Sequence, residues 1–82
     1  MTEGEYRVGI TFNPSGDSHV AALKQMAAAF IDAVLALPEG PAPHAEIARL
    51  KALACTHAED AAMWAVKAAT KPARRERGGL GL

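Results

Sequence analysis

The sequence predicts an all-α fold: an antiparallel two-helix hairpin behind a short N-terminal extended arm, assembling into a homo-oligomeric bundle. Three observations carry that expectation. Large apolar residues recur at helical spacing in two long segments. The stretch "PEGPAP", Pro38 to Pro43, separates them with three prolines and a glycine. The second segment is dominated by alanine, which packs closely but buries little area, so its helix needs close neighbours.

The first element is the arm. "YRVGITF", Tyr6 to Phe12, alternates branched and aromatic residues in part and reads as a short strand or an extended segment. "NPSGDS" then supplies Pro14 and Gly16 as breakers, with Asp17 or Ser18 as a helix N-cap. From about residue 18 to 37 the apolar seam falls at Val20, Leu23, Ala27, Phe30, Val34 and Leu37, in alternating steps of three and four. A second helix is expected over about 44–70, with Pro72 close behind as the stop. Its seam is Ile47, Leu50, Ala54, His57 or Ala58, Ala61, Ala65 and Ala68, and a second stripe of Leu53, Thr56, Met63 and Trp64 lies on an adjacent face. A helix of about 26 residues would span roughly 39 Å. Residues 1–72 thus read as a single helical-hairpin domain. The remainder, 73–82, carries Gly and charge without periodicity and reads as a disordered tail.

A lone hairpin makes a single interface, and chains of this size often draw support from disulfides, metals or association. One cysteine cannot form an internal disulfide, and no Cys/His cluster has zinc spacing. Association remains, and the second stripe on the later helix points the same way.

Charge and composition exclude several function classes. Nine Lys and Arg balance nine Asp and Glu, so the basic surplus that duplex nucleic acid or an acidic membrane calls for is missing. The opening "MTEGEYRVGITFNP" has neither a basic n-region nor an apolar run, and Ala27 to Leu37 is short and interrupted by Asp32, so neither a signal peptide nor a spanning helix is expected. With a lone cysteine, the expected location is the cytoplasm.

Few side chains offer chemistry. Cys55 and His57 stand two apart on a helix and diverge, which disfavours a nucleophilic pair. His57 with Asp60 begins a metal site at best, with Asp32 as a distant third ligand; the ordinary reading of His57 is a packed or solvated side chain, and no metal is expected. No nucleophile elbow or phosphate-cradling glycine loop is present, so neither an enzyme nor a cofactor is expected. Lys24, one turn or so into the first helix, either snorkels to water or presents a point charge suited to a phosphate. Phe12 is either a hydrophobic staple or an exposed ring on which a base stacks. A ring and a lysine bordering one groove would make a nucleotide pocket. Trp64 and Met63 at helical spacing read as packing bulk, with Glu59 and Asp60 binding neighbouring chains or cap groups. The run "KPARRER" is a solvated end or a further anion contact.

Taken together, "EIARLKALACTHAEDAAMWAVKAATKP", Glu46 to Pro72, resembles the second helix of the small phage proteins that sequester cyclic oligonucleotide messengers, the anti-CBASS sponges. Thr56, Glu59, Asp60, Ala61, Met63, Trp64 and Ala65 carry the pattern. "TFNPSGDSHVAALKQMAAAFIDAV" resembles the family's aromatic arm and basic first helix, so the likeness spans about residues 11–72.

The resemblance implies a non-catalytic hexamer that holds cyclic dinucleotides, in some members also trinucleotides, in pockets between protomers. It would thereby block CBASS-type anti-phage signalling in the host cytoplasm if the protein is phage-encoded. It assigns stacking to Phe12, phosphate contact to Lys24 and a base or sugar contact to Asn13, with Thr56 and His57 lining any second site. Phe12 stands where members often carry Tyr, keeping the stacking face without the hydroxyl. Val66 stands where Asn is common, removing a polar group that would face a second pocket. The rival reading is a helical oligomeric adaptor that grips another protein.

Overall fold

The computed structural model describes residues 1–41 and 43–72, and the tail expected over 73–82 lies outside them. Three helices follow in order: α1 (Glu3–Val8), α2 (Ser18–Leu35) and α3 (His44–Thr70). Among the described residues there is no strand. The core lies between α2 and α3, where Ile31, Val34 and Cys55 are buried and Val8, Ala54 and Ala58 pack against them.

The extended arm is corrected: Glu3–Val8 is helical, and Gly9 to Thr11 form a turn. Local chemistry and docking outweigh the partial alternation of Tyr6, Val8, Ile10 and Phe12. Thr2 accepts from the Glu5 amide while Glu5 accepts from the Thr2 amide, a complete capping box. Arg7 pairs with Glu3 one turn back at 2.9 Å. Gly9, at φ 65°, closes the helix in the left-handed conformation that glycine adopts without strain. The helix then docks on α2 through Gly4, whose N–H donates to Asp32 Oδ1 at 2.8 Å.

Asp17 caps α2 by accepting from the His19 amide at 2.7 Å. The helix ends at Leu35, two residues before the expected Leu37. Pro38, which lacks an N–H and disfavours helical backbone at Leu37, sets the stop. Lys51 of α3 secures the freed carbonyls: its ammonium donates to Leu35 (3.1 Å) and Leu37 (2.7 Å) and lies 3.4 Å from Glu39. A lysine that satisfies terminal carbonyls substitutes for the helical bonds they would otherwise make. α3 starts after Pro43 without a side-chain cap, and its 27 residues give a rod about 40 Å long.

The buried ridge of α2 is Val20, Lys24, Ala28, Ile31 and Val34. It shares Val20 and Val34 with the expected seam. Leu23 and Ala27 are half-buried and Phe30 is 53% exposed. The helix is rotated from the expected orientation because it carries α1 on one flank and α3 on the other.

Candidate functional site

Phe12, Asn13 and Lys24 come together where the α1–α2 connection crosses the first turns of α2. Lys24 is buried to 8% exposure, and its ammonium donates to the carbonyls of Gly9, at 2.9 Å, and Phe12. It also lies 5.4 Å from the centroid of the Phe12 ring, within cation–π range. The ring itself is 70% exposed, so it staples nothing and presents most of its surface to solvent. Asn13 braces the next turn: its side-chain nitrogen donates to the Asp17 carbonyl at 3.0 Å and its oxygen accepts from Ser15 at 2.8 Å.

Lys24 also lines a cavity of about 510 Å³ together with Arg7 and Val8 of α1 and Glu59, Asp60 and Met63 of α3. The walls carry both signs of charge. Arg7 is held by Glu3 at 2.9 Å and approaches Glu59 at 3.7 Å. Its pKa is pushed further up, chiefly by the hydrogen bond to Glu3, so it stays cationic. Glu59 therefore engages α1 of its own chain. Asp60 accepts from the Trp64 indole one turn on at 3.2 Å, while Lys67 stands 5.1 Å from that ring.

Thr56 and His57 do not join this cluster. Both are exposed on α3, and His57 borders a different groove, of about 520 Å³, walled by Leu23, Met26 and Phe30 of α2 and by alanines of α3. Among the described residues no group of three or more His, Cys, Asp or Glu could hold a metal ion. No described helix is long and apolar enough to cross a membrane.

Sequence reasoning missed Arg7 and weighed Asp32 only as a distant metal ligand, not as the acceptor for the Gly4 amide. The Glu3–Arg7 spacing and the Thr2–Glu5 capping pattern are readable signals for a helix that brings Arg7 to the cavity. Asp32 leaves no such signal, because its partner is a backbone amide 28 positions away.

A family model described as Acb2/Tad1, hairpin domain, matches residues 4–70. The chain belongs to that family. Its members are the anti-CBASS cyclic-oligonucleotide sponges, which are binding proteins rather than enzymes. The match opens inside α1 and closes on the last residue of α3, so the family unit takes in the small first helix as well as the hairpin. No curated protein and no solved structure matches the chain.

Proposed function

We propose that this Acb2/Tad1 hairpin protein sequesters cyclic dinucleotides and releases them unchanged, acting in a host cytoplasm as a competitor of the immune effector. The observation that carries the reading is the exposed Phe12 ring set against the buried ammonium of Lys24. A cyclic dinucleotide offers two base faces and two negative charges. A ring and a cation contributed by each of two protomers about a two-fold axis would match both, with stacking worth about 1–3 kcal/mol per base. Asn13, beside the ring, supplies a base or sugar contact. Thr56 and His57 are assigned to the lining of any second pocket, the one in which a cyclic trinucleotide would sit.

In this reading the site is completed by assembly into a hexamer, the oligomer that the family resemblance implies. Support for association comes from the apolar groove beside Phe30 and from Met26, Leu50, Leu53, Met63 and Trp64, large apolar side chains left exposed on the single chain.

Calorimetry with a panel of cyclic di- and trinucleotides tests the reading, followed by heat release and recovery of intact ligand. Binding of a dinucleotide and its recovery unchanged are expected. Phe12→Ala should weaken binding roughly tenfold or more without changing the oligomer. Absence of binding to every member of the panel at roughly tens of micromolar would sink the reading, and cleaved ligand would sink its non-catalytic part.

A further inference from the structure

Residues 1–12 are attached to α2 with little apolar burial of their own. The one fully buried residue of α1 is Gly4, which has no side chain, and Val8 is its only apolar residue packed against the core. The attachment is polar and sits at two points. Near the start of α1, the Gly4 amide donates to Asp32 Oδ1 at 2.8 Å. Beyond its end, Lys24 donates to the carbonyls of Gly9, at 2.9 Å, and Phe12.

Lys24, Ala28 and Asp32 are spaced four apart and therefore form one ridge of α2. Ala28, in the middle, allows the Gly4 backbone to come so near that a Cβ there would collide with the Ala28 carbonyl. The far attachment has its own logic. Gly9 and Phe12 are the two ends of a single turn, closed by the Phe12 amide donating to the Gly9 carbonyl at 2.9 Å. The oxygens at both ends of that turn converge on one ammonium. Two of the three Lys24 donors are thereby committed before any ligand arrives, leaving a third.

We propose that Lys24 and Asp32 are positioning residues that clasp residues 1–12 onto α2 and so preset the Phe12 ring in the ligand-free chain. What the ring then receives rests on the function proposed above; the clasp does not. A preset ring removes part of the ordering cost that binding would otherwise carry. Lys24 then serves twice, holding the turn with two N–H groups and offering the third to a phosphate.

The experiment uses the full chain as wild type, Lys24→Met, Asp32→Ala and Asp32→Asn, first without nucleotide and then with cyclic di-AMP or whichever dinucleotide of the panel binds tightest. Amide hydrogen exchange is read at Gly4 and Phe12, with the amide of buried Cys55 as the control for global stability. Asp32→Ala should speed exchange at Gly4 about tenfold, and Lys24→Met should do the same at Phe12, with Cys55 unchanged. Asp32→Asn keeps an oxygen for the Gly4 amide and should restore wild-type protection. Dinucleotide affinity should fall roughly tenfold in Asp32→Ala and recover in Asp32→Asn, although position 32 is not assigned to the ligand.

Unchanged protection at Gly4 and Phe12 in the Ala and Met variants overturns the clasp. So does an Asn variant that behaves like Ala, or an Ala variant that binds like wild type. If Asp32→Ala fails to fold, Lys24→Met decides alone, since methionine fills the same space without the ammonium. A wild type that binds no cyclic nucleotide overturns the ligand reading and leaves the exchange comparison to judge the clasp.

Discussion

The two flanks of α2 are built on opposite terms. One carries Lys24, Ala28 and Asp32 and lies under α1, fastened by hydrogen bonds to backbone amides and carbonyls. The other carries Leu23, Met26, Ala27 and Phe30, which with alanines of α3 wall an almost wholly apolar groove where Met26 and Phe30 are more than half exposed. The polar flank is closed and the apolar flank is open, the reverse of what burial of apolar surface alone would produce. A chain folding only to cover its own apolar area would have laid α1 over Met26 and Phe30. Polar, directional contacts suit the α1 flank because they fix the position of one loop and one ring. Apolar, non-directional surface suits the groove flank if another copy of the chain covers it, as proposed.

The largest expected effect separates these flanks at neighbouring positions. Ile31 has no exposed surface and belongs to the core, whereas Phe30 beside it is half in water. Ile31→Ala should cost about 2–5 kcal/mol of stability through lost contacts and a cavity. Phe30→Ser should leave the folding of each hairpin nearly intact and lower the mass measured by light scattering. Thermal denaturation at several protein concentrations distinguishes the two: an associating protein has a concentration-dependent midpoint, which Phe30→Ser should lose and Ile31→Ala should keep. Equal destabilisation by both changes, with unchanged mass, would erase the distinction between the flanks.

A smaller effect probes the α1 flank. Gly4→Ala raises helix propensity by about 1 kcal/mol, so local preference predicts a gain. The added Cβ would meet the Ala28 carbonyl and stand 2.8 Å from Asp32 Oδ1, so docking predicts a loss. Docking should win, because backbone atoms of α2 cannot move aside cheaply. The expected result is faster amide exchange across Glu3–Phe12 with α3 unaffected. Slower exchange there would mean that α1 is stabilised by its own sequence rather than by its seat.

These contrasts also mark what was legible in the sequence. The long helices were readable because their limits are written in local chemistry: Asp17 at one start, the prolines between them and Pro72 after the end. Phe12 and Lys24 could be singled out as a ring and a cation near one breaker, and the fold does bring them together. Their mutual arrangement was not readable, because Lys24 is oriented by carbonyls 12 and 15 positions away rather than by neighbours on its helix. The first helix was obscured by its brevity. Six residues give too short a window for helical periodicity to outweigh alternation at Tyr6, Val8, Ile10 and Phe12, although the capping pair Thr2 and Glu5 was in plain view. Lys51 repeats the lesson at the other loop, where a lysine within α3 satisfies carbonyls at the end of α2.

The smallest expected effect lies farthest from both flanks, at the start of α3. That helix has no side-chain cap, and the acid in its first turn is Glu46, bonded through both oxygens to Arg49 at 3.0 and 2.7 Å. The hydrogen bond from Arg49 holds the Glu46 carboxyl below the usual carboxylate range. A carboxyl with a folded-state pKa lowered in this way stabilises the fold fully above its ordinary value. That contribution is lost as pH falls through the depressed one. The ionised carboxylate also suits the positive end of the helix dipole and offsets an arginine placed there unfavourably. Glu46→Gln should therefore lower the helicity of α3 slightly at neutral pH, read by circular dichroism, and the difference from wild type should vanish in acid. The pair is solvent-exposed, so salt should shrink the difference as well. A gap between the two proteins that persisted unchanged into acid would assign the effect to side-chain packing rather than to charge.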